Sequence, residues 1–260
     1  MRYSIQEISD IVGGELTGSG SGEILNISLD SRSILQPENV LFVAICGERH
    51  DGHNYVSDLA GRGVNSFMVE ILPLEDIHGK ALSYIPVDDS LKALHKLALH
   101  HRNKYLTDII GITGSNGKTI VKEWIYQALS PDRKLTRSPK SYNSQVGVPL
   151  SLLLLEESTE MGLFEAGISK PGEMAKLQKI IRPSIGIFTN IGEAHQEGFP
   201  SMEEKIRQKL LLFAEADVLI YSRDHQEIDR LVRKEAGNAK PFTWSSGGNA
   251  DLNIIRSRVE

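Results

Sequence analysis

The sequence contains one cysteine, Cys46, among its 260 residues. A single cysteine excludes an intrachain disulfide and a cysteine-rich zinc site, and it fits a reducing compartment. Long apolar runs are also missing, since stretches such as Leu150 to Leu155 are far too short to cross a bilayer. The first residues turn acidic at Glu7 without the apolar core of a signal peptide. We therefore expect a cytoplasmic protein that is not inserted into a membrane.

Basic residues are fewer than acidic residues in this sequence. The sequence has 29 Lys and Arg residues against 34 Asp and Glu residues, which gives a formal net charge of -5. A general nucleic-acid-binding protein presents a basic surface, so this balance disfavours nucleic acid as a partner. The hydrophobic share of 40% and the charged share of 24% are ordinary for a globular protein. They exclude a disordered, fibrous or coiled-coil chain, and the length fits two small domains or one large domain.

Two different patterns of secondary structure divide the chain. Residues 1–88 contain short strand and helix signals, beginning with the capping box Ser4-x-x-Glu7, and predict a small α/β domain. A helix within residues 89–107 is predicted to connect it to residues 108–260. There, strands alternate with helices, which predicts a mostly parallel, doubly wound sheet. The last residues, 254–260, resemble a strand that is cut in mid-course, so we expect an incomplete second domain.

Individual elements of the second domain follow from apolar runs, caps and turn residues. The predicted strands are 108–113, 162–166, 184–190, 217–221 and 241–244. The predicted helices are 118–129, 172–181, 202–213 and 226–233.

The strongest chemical signal is the pattern G-x-x-G-x-x-G-K-T from Gly111 to Thr119. It follows an apolar strand and opens a helix, which is the setting of a phosphate-binding loop. Glycines allow the backbone to curl around phosphate oxygens, and the helix N-terminus adds partial positive charge. Lys118 is predicted to reach the phosphates and the Thr119 hydroxyl to hold Mg²⁺. The usual first glycine of such a loop is absent, because Ile112 stands there.

This loop resembles the ATP loop of the Mur ligases, the ATP-dependent amino-acid-adding enzymes of peptidoglycan synthesis, in which the unusual glycine spacing is typical. Folylpolyglutamate synthases have a related loop, so the loop alone does not distinguish the two. The resemblance implies that ATP binds to the loop residues Gly114, Ser115, Asn116, Gly117, Lys118 and Thr119.

The N-terminal domain carries a second resemblance. Asp30-Ser31-Arg32, together with Asp51-Gly52-His53, resembles the domain with which some Mur ligases bind UDP-muramoyl peptides. The resemblance implies that Ser31 and Arg32 bind this substrate, and a hydroxyl and a guanidinium suit a diphosphate. A turn with a surface ion pair is the alternative for this triplet. Asn143, ahead of Gly147-Val148-Pro149, resembles an asparagine that lies beside the muramoyl substrate in the family, or else belongs to a plain polar loop.

Two further stretches concern metal ions. Glu165-Ala166-Gly167 with Pro171-Gly172-Glu173 resembles the D-alanyl-D-alanine-adding branch of the family and implies that Glu165 holds Mg²⁺ with Thr119. The stretch from Thr189 to Phe199 implies that Asn190 contributes to the ATP site and that His195 is a ligand of a second Mg²⁺. The spacing from His195 leads to Lys209, which becomes a carbamate in several Mur ligases. The alternatives are a solvated Glu165, a structural or surface His195 and a plain surface Lys209.

The resemblance implies an acid–amide ligase with Lys118, His195 and Lys209 in catalytic roles and with ATP and two Mg²⁺ ions as cofactors. Its implied substrates are UDP-N-acetylmuramoyl tripeptide and D-Ala-D-Ala, joined through an acyl phosphate in the bacterial cytoplasm. We expect a C-terminal domain to be missing from this chain. Residues 138–143 also resemble a subgroup in which the ligase is fused to an alanine racemase. Two alternatives stay open: another Mur or folylpolyglutamate-type ligase, or a non-catalytic module that binds UDP-muramoyl peptides and nucleotides.

Overall fold

The computed structural model describes residues 1–18, 22–34, 36–47, 50–73, 81–105, 107–192, 196–235 and 237–255. The chain divides into two compact units, Met1–His101 and Arg102–Glu260. This division lies inside the helix that the sequence predicts as a connector, and the domain limits given above stay a prediction. Within the described residues, no helix combines the length and the apolar character that crossing a bilayer requires.

In its described residues, the first unit combines short strands with three α-helices. Its strands are β1 (Tyr3–Ser4), β2 (Thr17–Gly18), β3 (Glu23–Ile24), β4 (Asn26–Ser28), β5 (Val40–Val43), β6 (Ser66–Val69) and β7 (Ser83–Pro86). Its helices are α1 (Ile5–Val12), α2 (Val56–Gly61) and α3 (Ser90–Asn103), the last of which continues into the second unit.

A five-stranded sheet with the order β2-β7-β6-β5-β4 forms the centre of this unit. Neighbouring strands are parallel except for the antiparallel pair of β2 and β7. Phe42, Leu59 and Phe67 have no exposed surface and belong to its core. Helix α1 has the predicted capping box between Ser4 and Glu7, and Gly13 ends it in the left-handed conformation that glycine adopts readily.

The second unit alternates strands with helices. Its strands are β8 (Asp108–Thr113), β9 (Leu135–Arg137), β10 (Met161–Glu165), β11 (Ile185–Phe188), β12 (Val218–Ser222), β13 (Lys240–Ser245) and β14 (Leu252–Asn253). Its helices are α4 (Lys118–Leu129), α5 (Gly147–Leu152), α6 (Glu173–Ile181), α7 (Met202–Leu210) and α8 (Gln226–Glu235).

The seven strands described for this unit run parallel in the order β14-β13-β12-β11-β8-β10-β9. The predicted α/β class with a mostly parallel sheet is therefore confirmed. Strand β8 lies inside the sheet between β10 and β11, and Ile112 on β8 and Leu163 on β10 are fully buried. The carboxyl ends of these three neighbouring strands meet at one edge, which is where ligands bind in open α/β sheets.

Several element limits differ from the sequence predictions. The predicted helix 202–213 ends at Leu210, and Leu211–Phe213 form a 3₁₀ turn instead. The strand predicted within residues 254–260 is not found at residues 254 and 255, which follow β14, and residues 256–260 lie outside the described residues. Such differences are common because helix ends and short strands depend on tertiary packing as well as on local signals.

Candidate active site

The phosphate loop forms a tight turn between β8 and α4. Gly114 has φ of 149° and Gly117 has φ of 81°, which are conformations that favour glycine. A Cβ on Gly114 would also lie 2.0 Å from Oγ1 of Thr189 and 3.0 Å from the backbone nitrogen of Asn190. Glycine at position 114 is therefore required both by the backbone conformation and by the close approach of the next loop.

The loop after β11 braces the phosphate loop. The backbone N–H of Ser115 donates to the Asn190 carbonyl at 2.9 Å, and that of Asn116 donates to Oδ1 of Asn190 at 3.0 Å. The Ser115 hydroxyl donates to the Gly192 carbonyl at 3.1 Å and accepts from the Gly192 N–H at 3.0 Å. These hydrogen bonds use the N–H groups of Ser115 and Asn116 to fix the shape of the loop. The N–H groups in the first turn of α4 have no acceptor within the helix, so they remain available to bind an anion.

Two lysines converge on the carbonyl oxygen of Gly114. Nζ of Lys118 donates to it at 2.8 Å, and Nζ of Lys209 on α7 donates to it at 3.3 Å. Burial lowers the pKa of Lys118, with the Glu165 carboxylate acting in the opposite direction. Burial, reinforced by the charges of Lys118 and Lys205, lowers the pKa of Lys209 to about 7. With 3% of its surface exposed, Lys209 is not the plain surface lysine of the alternative interpretation.

Glu165, at the end of β10, is fully buried beside the first turn of α4. Its Oε2 accepts a hydrogen bond of 3.0 Å from the hydroxyl of Thr119, which also lies 3.2 Å from Oγ of Ser141. Its Oε1 lies 2.9 Å from Nζ of Lys122, and neither of these two side chains is exposed. This burial rules out the alternative of a solvated glutamate.

Two further lysines, Lys122 and Lys205, are buried beside the site and were not predicted as site residues. Nζ of Lys122 donates to the carbonyls of Ser138 and Lys140, and Nζ of Lys205 donates to the Gly192 carbonyl at 2.5 Å. Both lie four residues from a predicted site lysine, on the helical spacing that places two side chains on one face. This four-residue spacing is the feature of the sequence that could have identified Lys122 and Lys205 as neighbours of the site.

Positive groups outnumber negative ones around the phosphate loop. Lys122, Lys205 and Lys209 are at most 3% exposed and Lys118 is partly buried, while Glu165 is the buried carboxylate among them. Burying unbalanced charge is unfavourable, so an arrangement of this kind indicates a site that receives an anion.

A cleft of about 360 Å³ opens beside this cluster, and Lys118, Lys209, Asn143 and Glu173 are among its lining residues. The Asn143 carbonyl accepts a hydrogen bond of 2.7 Å from the Gly167 N–H. The side chain of Asn143 also packs closely on Gly167, since a Cβ added to this glycine would lie 3.0 Å from Oδ1 of Asn143. The structure thus brings Asn143 to the same cleft as the two lysines.

The first unit contains a separate cavity of about 410 Å³, which Ser31, Arg32, His50 and Tyr55 help to line. The Arg32 guanidinium binds both carboxylate oxygens of Asp30 at 2.9 Å and is largely exposed. Hydrogen bonds from Arg32 lower the pKa of Asp30 to about 2. The triplet therefore does form a surface ion pair, and it does so on the wall of a cavity.

The ring of His53 is fully engaged by protein partners. Nδ1 of His53 lies 2.6 Å from Oδ1 of Asp51, and its Nε2 accepts the backbone N–H of Glu70 at 2.9 Å, so both ring nitrogens are occupied. Across the described residues, no group of three metal-binding His, Cys, Asp or Glu side chains occurs. His195, the predicted second Mg²⁺ ligand, lies outside the described residues.

Sequence comparison assigns this arrangement to a family. The profile of the Mur ligase middle domain matches residues 112–259. The UDP-N-acetylmuramoyl-tripeptide–D-alanyl-D-alanine ligase of Bacillus subtilis is 32% identical over 259 residues, covering 98% of this chain and 55% of that protein. The ligase of the same name from Rickettsia prowazekii is 32% identical, and the match covers 100% of this chain and 58% of that protein. The chain thus spans just over half the length of these curated relatives.

Solved structures give the same assignment. MurF from Acinetobacter baumannii superimposes with a TM-score of 0.84 at 26% identity, over 96% of this chain and 55% of that one. MurF ligase from Thermotoga maritima in complex with ADP has a TM-score of 0.71 at 28% identity, over 86% of this chain and 51% of that one. The resemblance that begins at the phosphate loop is confirmed by these matches. The chain belongs to the Mur ligase family.

Proposed function

We propose that the protein to which this chain belongs is an ATP-dependent ligase that joins D-Ala-D-Ala to UDP-N-acetylmuramoyl tripeptide. The observation that carries the proposal is the excess of buried lysines at a phosphate loop in a chain whose relatives bear this ligase's name. We propose ATP as the anion that binds to these lysines, and the ADP bound to the Thermotoga maritima relative supports a nucleotide at this site. The cytoplasm is the compartment that supplies ATP and the nucleotide-linked peptide.

The oxygen atoms of Thr119 and Glu165 suit Mg²⁺. The two side-chain oxygens lie 3.0 Å apart in a hydrogen bond, so both together would be available to hold the ion. Hydroxyl and carboxylate are also the hard ligands that this ion prefers. Bound there, Mg²⁺ would neutralise charge on the phosphates. His195 and a modified Lys209 are the residues we propose for a second ion.

In the proposed reaction, the terminal carboxylate of the tripeptide attacks the γ-phosphorus of ATP, and ADP leaves. The amine of D-Ala-D-Ala then attacks the acyl phosphate carbon, loses a proton, and the tetrahedral intermediate expels phosphate. Positioning and charge stabilisation dominate catalysis of phosphoryl transfer. Lys118 would stabilise the developing negative charge, and the first-turn amides of α4 would hold the phosphates.

Lys209 is proposed to react with CO₂ and act as a carbamate. The reaction needs the neutral amine, and a pKa of about 7 makes that form abundant at neutral pH. The nitrogen attacks CO₂ and releases one proton, which turns a cation into an anionic oxygen ligand that suits Mg²⁺ better than an ammonium does. In the whole protein, Lys209→Ala should lose activity that short-chain carboxylic acids partly restore. Full activity of this variant without any added acid would remove Lys209 from the site.

The cavity of the first unit is proposed to bind the nucleotide end of the muramoyl substrate through Ser31 and Arg32. Asn143 is proposed to contact the muramoyl part of the same substrate.

The proposed ligase function is tested by measuring phosphate release from ATP by the whole protein. Release should require both the UDP-muramoyl tripeptide and D-Ala-D-Ala. Equal release with single amino acids, or with a folate and glutamate, would favour another ligase of the superfamily. The 260-residue chain alone should bind ligands with negligible ligation.

A further inference from the structure

Lys122 is the most completely buried cation in the described part of the second unit, and the reaction proposed above does not use it. Its exposed fraction is 0%, although a buried ammonium is costly unless several partners compensate it. The residue lies on α4 one helical turn after Lys118, so it shares the face of the helix that carries the phosphate loop.

Three structural elements meet at its ammonium group. Nζ donates to the carbonyl oxygens of Ser138 at 2.7 Å and Lys140 at 2.5 Å, in the segment between β9 and α5. It lies 2.9 Å from Oε1 of Glu165 at the end of β10, and 3.3 Å from Oε1 of Glu123. Ser138 strengthens the same junction, because its hydroxyl accepts the backbone N–H of Glu165 at 3.2 Å.

The two oxygens of Glu165 therefore have different partners. Oε1 faces the Lys122 ammonium, whereas Oε2 faces the Thr119 hydroxyl at 3.0 Å. A carboxylate held at one oxygen cannot rotate freely, so the other oxygen keeps its direction. Mg²⁺ demands near-ideal geometry from its ligands, which makes such orientation valuable.

We propose that Lys122 is a positioning residue, which holds Glu165 through Oε1 so that Oε2 stays directed at the cation of the nucleotide. The same ammonium ties the Ser138–Lys140 backbone to α4, so the segment leading to Asn143 and the metal ligand are fixed by one group. This inference deepens the proposed function and rests on it. Lys122 itself touches neither nucleotide nor metal.

The test compares ADP binding by this chain with excess Mg²⁺ and with EDTA, measured by isothermal titration calorimetry. For the unaltered chain, Mg²⁺ should tighten ADP binding. For Lys122→Met, the affinity in EDTA should stay close to that of the unaltered chain, because the phosphate loop is intact. The gain from Mg²⁺ should fall about 10- to 100-fold, as is usual when the partner of a metal ligand is lost. A merely structural role would weaken binding equally in both conditions.

Lys122→Gln provides a second variant in case Lys122→Met does not fold. Its amide can still donate to the backbone carbonyls while lacking the charge that faces Glu165, and it should lose the Mg²⁺ gain as well. Adding either change to Glu165→Gln should produce no further loss of the Mg²⁺ gain.

Arg102→Met is the matched control, because Arg102 is a buried cation of the same unit that donates to the carbonyls of Tyr105 and Thr107. It should leave the Mg²⁺ gain unchanged. A full Mg²⁺ gain in a folded Lys122 variant would overturn this inference alone. Failure of the unaltered chain to bind ADP in either condition would overturn the nucleotide site of the proposed function, and this inference with it.

Discussion

The hydroxyl of Thr119 lies 3.0 Å from Oε2 of Glu165, although 46 positions separate the two residues. The register of the sheet explains this contact. Strands β8 and β10 are neighbours, and Glu165 is paired with Ile112, two residues before Gly114 of the phosphate loop. Because successive side chains of a strand alternate between faces, a shift by one residue would turn Glu165 away from Thr119. The parallel register thus positions the candidate metal ligand.

Lys118→Ala should abolish ATP turnover by the whole protein and weaken ADP binding to this chain without unfolding it. A hydrogen bond to a charged group contributes about 1.5–3 kcal/mol, so affinity should fall about ten- to hundredfold. Calorimetric titration with ADP measures the loss, and Lys176→Ala at an exposed position of α6 is the control. Undiminished turnover in Lys118→Ala would refute the assignment of the phosphate loop.

Gly114→Ala should lower both stability and ADP affinity. The added Cβ would lie 2.0 Å from Oγ1 of Thr189 and would force alanine into a backbone conformation with φ of 149°. A strained backbone position of this kind costs on the order of 1–3 kcal/mol. Gly247→Ala is the control, since its nearest neighbour would be at an ordinary distance of 3.7 Å. Equal thermal unfolding midpoints for the two variants would contradict the expectation.

Lys209→Met should stabilise the chain at neutral and acidic pH when nucleotide and CO₂ are absent. Burial lowers the pKa of Lys209 from 10.5 to about 7, so between these values the unfolded chain binds a proton that the folded chain does not. The unfavourable contribution of Lys209 is therefore complete below about pH 7 and disappears as the pH rises towards 10.5. The stability gain of Lys209→Met should shrink over the same interval.

Urea unfolding at several pH values measures this difference in the free energy of unfolding. Lys179→Met, at an exposed position of α6, should leave the pH dependence as it is in the unaltered chain. A gain from Lys209→Met that is independent of pH would indicate improved packing rather than removal of a buried charge.

Arg32→Gln should weaken binding of UDP-N-acetylmuramoyl tripeptide while leaving the unfolding midpoint unchanged. The Arg32 side chain is 86% exposed and lines the cavity of the first unit, so its loss removes a donor for a diphosphate rather than a core contact. Arg2→Gln is a matched control, because Arg2 forms another exposed ion pair of the unit, with Glu23, and does not line that cavity. Substrate affinity is measured by calorimetry, and equal affinity for both variants would count against the site.

Elements with strong local signals were predictable from the sequence. The strand Asp108–Thr113 and the helix Lys118–Leu129 agree with the prediction residue by residue. There, an apolar run, a glycine-rich turn and the start of a helix follow one another directly. Strand β9 was missed because it has three partly buried residues and forms only by pairing with β10 at the sheet edge. Local sequence carries little information about such an edge strand.

The sequence placed Lys118, Thr119, Glu165 and Lys209 in one candidate site, and their side chains do meet there, but the individual contacts could not be predicted. The predicted loop residues do lie together, but the pairing of Lys122 with Glu165 joins a helix to a strand far away in the sequence. The number of charged residues on a helix does not indicate which lysine is buried. In the sequence, Lys205 and Lys209 are typical of a solvent-exposed helix face, but in the structure both side chains are almost completely buried. Burial of this kind depends on how α7 packs in the folded unit.

The hydrogen bond from Lys209 to the Gly114 carbonyl spans 95 positions of the chain. During synthesis, the phosphate loop leaves the ribosome well before α7 does, and at about 5–20 residues per second the delay amounts to several seconds or more. Until α7 emerges, the loop lacks the Lys209 side chain that donates to the Gly114 carbonyl. Strands β12, β13 and β14 follow α7 in the sequence, so the sheet is also incomplete at that stage, and nucleotide cannot assist the earliest folding steps through the complete site.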